Sequence, residues 1–179
     1  DTTCFAFVGD STFFASAITG VVNAVYNQAN MVLVVLDNST TAMTGHQPHP
    51  GTGRTVMGEI VQKINIEQVL RGIGVTEVET VNPLELEASV LCVQKMAKKP
   101  GVKAIIFKSP CIAVTSPDAP LHVNPDTCIG CKKCILELGC PSIVLDQGKV
   151  CIDSSMCTGC GLCSKVCPVH AITGGASHE

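Results

Sequence analysis

The chain has 179 residues, which is enough for one ordinary hydrophobic core with a small additional module, or for one larger domain. Its net charge of −3 argues against a nucleic-acid-binding surface, and no apolar run approaches the roughly 20 residues that a membrane helix requires. The chain has 12 cysteines and no recognisable signal peptide, which favours cluster or metal binding in a reducing cytoplasm over disulfides. We therefore expect a cytoplasmic protein that binds neither nucleic acid nor membrane.

The amino-terminal part alternates between apolar runs and segments with helical spacing. The apolar runs are short and largely unbroken, as in parallel strands buried on both faces, and lie at Cys4–Val8, Met31–Leu36, Val75–Val81 and Val102–Phe107. Helices are predicted between them at about Thr12–Gln28, Val56–Gly72 and Pro83–Lys98, with Asn82 as the N-cap of the last. This alternation predicts an α/β fold with a parallel sheet. The chain enters its first strand without an initiator methionine, so we expect it to be cut from a longer polypeptide.

Polar residues follow the first two predicted strands directly. Gly9-Asp10-Ser11-Thr12 comes after the first, and Asp37-Asn38-Ser39-Thr40-Thr41 comes after the second. Open α/β sheets bind ligands at the carboxyl ends of their strands. The Asp10 carboxylate, the Asn38 amide oxygen and a backbone carbonyl just beyond it suit a magnesium ion that also holds phosphate oxygens. Ser11 and Thr12 open a helix whose N–H groups favour an anion, so this edge predicts a magnesium diphosphate site.

The loop from Met43 to Gly53 follows the predicted magnesium site and is expected to cover a cofactor or substrate there. His46 and His49 lie in this loop and are candidates for proton handling or for binding a carboxylate, although incidental surface histidines are an equal alternative. The glycines at positions 51, 53 and 58 have the wrong spacing for a nicotinamide-binding fingerprint and follow no predicted strand.

Composition changes abruptly between Pro117 and Pro120, because nine of the 12 cysteines lie beyond this point. We therefore predict two domains, an α/β domain over residues 1–116 and a small α+β module over residues 121–179. Two cysteine runs within the second module each end in Cys-Pro, namely Cys128-x2-Cys131-x2-Cys134-x5-Cys140 and Cys157-x2-Cys160-x2-Cys163-x3-Cys167. A hairpin is expected between them, over Ile143–Asp146 and Lys149–Asp153 with Gln147-Gly148 as its turn.

This tandem repeat is the plan of a bacterial ferredoxin, in which the fourth cysteine of each run ligates the other run's cluster. One [4Fe-4S] cluster would then take Cys128, Cys131, Cys134 and Cys167, and the second would take Cys157, Cys160, Cys163 and Cys140. The first run has five residues rather than three before its last cysteine, which makes Cys140 the least regular ligand. Structural zinc is a poorer alternative, because zinc sites use paired cysteines rather than triple runs. Cys151, outside both runs, is expected to be a small buried hydrophobe.

The polar residues of the first domain resemble the diphosphate-binding motif of thiamine diphosphate enzymes, G-D-G followed about 26 to 30 residues later by Asn. Here 26 residues separate Gly9-Asp10-Ser11 from Asn38, and Ser11 replaces the second glycine. The resemblance implies that Asp10 and Asn38 bind magnesium through their side chains and Thr40 through its carbonyl. It also implies that Gly9, Ser11 and Thr12 approach the diphosphate.

Asp37-Asn38, the run from Thr40 to Gly53, and the later ferredoxin motifs together resemble the alpha subunit of the indolepyruvate:ferredoxin oxidoreductase family. The resemblance implies oxidative decarboxylation of an aryl 2-oxoacid with coenzyme A, giving acyl-CoA, carbon dioxide and two electrons that pass through the clusters to ferredoxin. It also implies that the part of the subunit holding the pyrimidine ring of the cofactor is absent here. We therefore expect the centre to be completed by a missing amino-terminal domain or by a second, beta, subunit.

Three alternatives remain open on sequence alone. The chain would be a non-enzymatic electron carrier if its α/β domain no longer binds cofactor. The same chemistry would act on pyruvate, another 2-oxoacid or phenylglyoxylate if the substrate pocket differs. The cysteine runs would form a structural module that docks partners if they hold zinc.

Overall fold

A computed structural model describes residues 3–175 of the chain. The residues divide into two units, Asp1–Thr115 and Ser116–Glu179. The first unit carries the α/β pattern, and the second carries both cysteine runs.

The first unit is built on a sheet of four parallel strands in the spatial order β1-β2-β4-β3. The strands are β1 (Cys4–Gly9), β2 (Met31–Asp37), β3 (Glu77–Val81) and β4 (Val102–Lys108). The α/β prediction and its parallel sheet are confirmed. Because β1 and β2 are neighbours in the same direction, the residues that follow them emerge side by side at one edge of the sheet.

Each face of this sheet carries its own apolar cluster. Alternate residues of β2 belong to opposite clusters, Leu33 and Val35 to one and Val32 and Val34 to the other. The first cluster is completed by the helices on that side, through Phe13, Val21, Ile66 and Leu70, and the second by Cys92 and Met96. The continuous apolar character of the central strands therefore follows from burial on both faces.

A single helical stretch follows β1 and confirms the first predicted helix. It consists of α1 (Asp10–Thr12), a π-helical segment (Phe13–Ala17) and α2 (Ile18–Tyr26). The sharp transition from Gly9, in extended conformation, to the helical Asp10 places this acidic side chain at the start of the helix.

The second helix, α3, covers only Ile66–Ile73. It begins ten residues later than the predicted start at about Val56. The preceding residues form a turn in which Arg54 pairs with Ile60 and Gly58 has φ +91°, and the side chains of Val56 and Met57 are exposed. Such a φ is incompatible with helix. The true start signal is Asn65, whose side chain accepts a hydrogen bond from the Gln68 N–H at 3.1 Å.

The third helix also starts late, at Leu86, and α4 covers Leu86–Ala97. The prediction that Asn82 is the N-cap of this helix is therefore wrong. The Asn82 Oδ1 instead accepts a hydrogen bond from the Leu84 N–H at 3.0 Å, which stabilises a turn around Pro83 before the helix begins.

The second unit contains two short antiparallel pairs and two short helices. β5 (Leu121–Val123) pairs with β8 (Ile172–Gly174), and β6 (Ile143–Asp146) pairs with β7 (Lys149–Ile152). Gln147 and Gly148, with φ of +46° and +81°, form the tight turn of the predicted hairpin. The helices α5 (Lys133–Leu138) and α6 (Leu162–Val166) each carry the third cysteine of one run. None of the helices described between residues 3 and 175 is long and apolar enough to cross a membrane.

Candidate functional site: a carboxylate edge and two cysteine quartets

The residues after β1 and β2 meet at the carboxyl edge of the first unit's sheet. The parallel register pairs Gly9 with Leu36, which brings Asp10 beside the turn that follows β2. The Asp10 Oδ2 accepts a hydrogen bond from the Ser39 N–H at 2.9 Å, and its Oδ1 accepts one from the Ser11 N–H at 2.8 Å. Tertiary structure thus joins the two sequence segments from which the site was predicted.

The Asp10 carboxyl is almost fully enclosed, with 2% of its surface exposed. Burial raises its pKa, and the nearby Asp37 carboxyl adds to this rise. The Ser11 N–H and the His49 ring only partly offset it. A raised pKa in a carboxyl group means that its negative charge is poorly compensated by the protein alone.

Asp37 is a site residue that the sequence analysis did not select. Its Oδ1 accepts a hydrogen bond from the same Ser39 N–H that binds Asp10, at 3.0 Å, and its Oδ2 lies 3.5 Å from the Lys108 Nζ. Two carboxyl groups therefore share one N–H donor at the edge of the sheet. The available signal was its position as the last residue of the second apolar strand, immediately before Asn38.

The other predicted ligands lie around the same edge. The Asn38 Oδ1 accepts a hydrogen bond from the Thr40 N–H at 3.2 Å, and Thr40 is buried. The Thr41 Oγ1 donates to the Ser11 Oγ at 3.0 Å, linking the loop after β2 to the start of the helical stretch. A Cβ built on Gly9 would meet no atom within 4 Å, so the space beside it is open. Thr12 lies in α1, next to Ser11.

The two candidate histidines occupy different environments. The Nε2 of His49 lies 3.2 Å from the Asp10 Oδ2, and the His49 side chain is 5% exposed. The ring of His46 is exposed, and the residue has φ +62°. The structure thus brings His49 against the predicted magnesium ligand, while His46 is not among the contacts of Asp10.

This edge fits a magnesium diphosphate in its donor chemistry. A buried carboxylate with a raised pKa next to a second carboxylate favours a cation, and carboxylate and amide oxygens are ligands that Mg²⁺ accepts. Among residues 3–175, no three His, Cys, Asp or Glu side chains are placed to hold one metal ion between them. A cation at Asp10 would therefore rely on amide and backbone oxygens as well.

In the second unit, the four cysteines predicted to hold the first cluster line one apolar cavity. Cys128, Cys131 and Cys134 come from the first run, and Cys167 comes from the end of the second. The rest of the lining includes Ile129, Val150, Val169 and Ile172. Burial raises the pKa of Cys134, and the charges of Cys167 and Cys131 raise it further. The structure thus brings together cysteines that are 33 positions apart in the sequence, Cys134 and Cys167.

The second quartet shows the reciprocal arrangement. Burial raises the pKa of Cys163 to about 11, with further contributions from the charges of Cys160, Cys157 and Cys140. Cys140 is thus close enough to the second run to interact with it electrostatically, despite the longer spacing of its own run. A cubane cluster binds four thiolates, and its bonds to iron would offset the burial and the mutual repulsion that raise these pKa values.

The two runs also repeat at the level of the backbone. Gly130 and Gly159, each directly before the second cysteine, have φ of +67° and +74°. Lys132 and Gly161, each directly after the second cysteine, have φ of +59° and +74° and precede α5 and α6. The extra length of the first run is taken up by the six-residue α5, against five residues in α6, and by Gly139, whose φ is +56°.

Family models match both parts of the chain. The model described as the thiamine pyrophosphate enzyme C-terminal TPP binding domain matches residues 1–107, which is more than half of the chain. The model of the 4Fe-4S binding domain matches residues 150–173, which contain the second cysteine run.

Curated relatives extend over both units. "Indolepyruvate oxidoreductase subunit IorA" of Archaeoglobus fulgidus is 42% identical over 173 residues, 93% of this chain and 28% of the relative. The protein of the same name from Thermococcus kodakarensis is 39% identical over 176 residues, covering 93% of this chain and 27% of the relative. "Pyruvate synthase subunit PorD" of Methanothermobacter marburgensis is 44% identical over 50 residues, 28% of this chain and 58% of the relative. The chain thus spans about a quarter of the length of the IorA relatives.

Proposed function

Because this chain belongs to the thiamine pyrophosphate enzyme family and is similar to IorA subunits, we propose that it is part of a 2-oxoacid:ferredoxin oxidoreductase. The observation that supports this most directly is the buried Asp10 carboxyl beside Asp37, in a chain that also carries two cysteine quartets. A cation-binding edge alone would fit many enzymes. Its combination with a ferredoxin-like unit fits chemistry that releases electrons.

In this proposal the first unit holds the diphosphate end of the cofactor. Asp10 and Asn38 bind Mg²⁺ through side-chain oxygens and Thr40 binds it through its carbonyl, while Gly9, Ser11 and Thr12 approach the diphosphate. Thiamine diphosphate, when bound, supplies the electron sink for decarboxylation of a 2-oxoacid. The chain's own contribution would be to hold the cation that neutralises the diphosphate, and the hydrogen bonds from Ser11 and Ser39, which fix Asp10, support this role.

The second unit provides the route by which electrons leave. One [4Fe-4S] cluster takes Cys128, Cys131, Cys134 and Cys167, and the other takes Cys157, Cys160, Cys163 and Cys140. The shared cavity of the first quartet and the mutual electrostatic effects within the second support this division. Ferredoxin is the acceptor in the proposed reaction, and the cysteine content fits a reducing cytoplasm.

We propose that the reaction is the oxidation of indolepyruvate, the substrate in the name of the IorA relatives, or of another aryl 2-oxoacid. Coenzyme A accepts the acyl group, giving acyl-CoA and carbon dioxide, and the two electrons pass to the clusters. The rest of the catalytic centre comes from an amino-terminal domain or a beta subunit, since this chain corresponds to 28% of its A. fulgidus relative.

The test uses the full-length polypeptide that contains this chain, with any subunit that copurifies, prepared without oxygen. We expect calorimetry to show magnesium-dependent binding of thiamine diphosphate, and indolepyruvate with coenzyme A to reduce ferredoxin. Asp10→Ala should abolish the heat of cofactor binding while iron content stays unchanged, because the clusters lie in the other unit. Glu87→Ala, which removes an exposed carboxylate from α4, is the matched control.

Two results would contradict the proposal, and a third would change only its substrate. A wild-type protein with full iron content that binds no thiamine diphosphate would be an electron carrier rather than an enzyme. Cofactor binding by Asp10→Ala at wild-type strength would place the magnesium site elsewhere. Reduction of ferredoxin by pyruvate or phenylglyoxylate but not by indolepyruvate would keep the chemistry and change the substrate.

A further inference from the structure

We propose that His49 is a positioning residue for Asp10, holding this carboxylate in the orientation in which it binds magnesium. The inference rests on the proposed function, because it assumes that Asp10 is a magnesium ligand. It assigns to the histidine a contact with the protein's own carboxylate, in place of proton handling or substrate binding.

The first observation is an unpaired polar atom in a buried position. The Nε2 of His49 is buried and has no hydrogen-bond partner, although the Asp10 Oδ2 lies 3.2 Å away. The distance suits a hydrogen bond, but the angle between the two groups does not satisfy the geometry of one. Buried polar groups in native proteins are nearly always paired, so an unpaired one this close to a carboxylate calls for an explanation.

The second observation identifies which ring nitrogen carries the proton. The Gly51 N–H donates a hydrogen bond to the His49 Nδ1 at 3.2 Å, so Nδ1 is an acceptor and does not carry the ring proton. The proton therefore resides on Nε2, the atom that faces Asp10. The loop backbone thus prepares the ring as a donor toward the carboxylate.

The third observation is that the ring has little freedom to move. Phe14 packs against it with ring centroids 5.8 Å apart and an interplanar angle of 31°. Gly51 lies close to both rings, since a Cβ built there would be 3.0 Å from the His49 Cε1 and 3.1 Å from the Phe14 Cε2. A ring confined in this way can serve as a fixed support.

Two hydrogen bonds hold Asp10, and His49 approaches it from a third segment of the chain. Ser11 at the start of α1 donates to Oδ1, Ser39 after β2 donates to Oδ2, and His49 approaches Oδ2 from the loop beyond. A carboxylate fixed at both oxygens presents its remaining lone pairs in a defined direction. Such outer contacts to ligating carboxylates commonly control metal affinity.

The test measures binding of Mn²⁺, as a paramagnetic substitute for magnesium, to the full-length protein with thiamine diphosphate, followed by electron paramagnetic resonance. His49→Asn keeps an acceptor for the Gly51 N–H but loses the donor at the Nε2 position, and we expect affinity for Mn²⁺ to fall about 10- to 100-fold. His49→Gln places an amide N–H near that position and should recover part of the loss. Glu59→Gln, which changes an exposed side chain between that loop and α3, should bind as wild type does.

The outcomes separate this inference from the proposed function. Absence of Mn²⁺ binding in the wild-type protein would contradict the magnesium site itself. Wild-type affinity in His49→Asn, or equal losses in the Asn and Gln proteins, would overturn the role of His49, since a side chain that only fills space needs no donor. If His49→Asn does not fold, Phe14→Leu decides: loosening the ring should weaken Mn²⁺ binding, and an unchanged affinity would overturn the inference.

Discussion

At the scale of single residues, the site is defined by buried charge that the protein does not neutralise by itself. Asp10 is 2% exposed, and its pKa is raised by burial and by Asp37. Lys103 is a second buried ionisable group in this unit, and burial lowers the pKa of its ammonium. Lys103 is fully buried within β4, but its Nζ donates hydrogen bonds to the Asn30 Oδ1 at 2.6 Å and to the Gly101 carbonyl at 3.1 Å. Asp10 differs from Lys103 in lying beside a second carboxyl group, that of Asp37, and such a pair favours a cation.

Gly51 provides a residue-scale prediction. Gly51→Ala should destabilise the first unit by about 1–3 kcal/mol, because its Cβ would lie 3.0 Å from His49 and 3.1 Å from Phe14. Gly20→Ala is the matched control in α2, where a Cβ would meet no atom within 4 Å; this change should instead stabilise by about 0.5–1 kcal/mol. Urea unfolding followed by a signal from the first unit would measure both. Equal effects of the two substitutions would contradict the described packing at Gly51.

At the scale of elements, boundaries are set by caps and turns more than by apolar spacing. The apolar residues from Val56 to Ile64 have helix-like spacing, yet all of them are exposed, and α3 starts only after Asn65. The cysteine runs behave differently. The left-handed residues on either side of the second cysteine recur in both runs and place α5 and α6 equivalently.

The cap of α3 gives an element-scale prediction. Asn65→Ala should cost about 1 kcal/mol, because the Gln68 N–H loses its side-chain acceptor. Amide hydrogen exchange in the first turn of α3 should then become about fivefold faster, which is the same free energy expressed as a rate. Asn65→Asp, which keeps an acceptor oxygen, should exchange at nearly the wild-type rate. An unchanged rate in the Ala protein would show that the helix start does not depend on this cap.

At the scale of the whole molecule, the chain joins a unit that matches the thiamine pyrophosphate-binding domain to a unit that contains a match to the 4Fe-4S binding domain. The division at Thr115 separates a sheet with two apolar clusters from a unit whose folding brings eight cysteines into two groups. Short strands and helices of three to six residues leave the second unit little apolar core of its own. Metal–thiolate bonds are expected to supply much of its stability.

Iron content tests the second unit as a whole. Protein prepared without oxygen should contain about eight irons per chain, from two four-iron clusters, and no stoichiometric zinc. Cys140→Ser should lower this toward about four, because the second cluster loses a ligand. Cys151→Ser should retain about eight, since Cys151 lies in the hairpin strand β7 outside both quartets. Stoichiometric zinc, or full iron in the Cys140 variant, would contradict the ligand assignment.

The sequence by itself determined the α/β class, the hairpin and the cysteine repeat, because each is encoded in local spacing: period and length of apolar runs, turn residues, and ligand intervals. Its motifs also carried the resemblance to the family. It also singled out Asp10 and Asn38 from their positions after strands. Tertiary structure alone decided that Asp37 shares Ser39 with Asp10, and that His49 rather than His46 contacts the carboxylate. It also brought Cys140 within reach of the second run. These relations depend on strand register, on loop path and on burial, which are properties of contacts between distant segments and leave no regular interval in the chain.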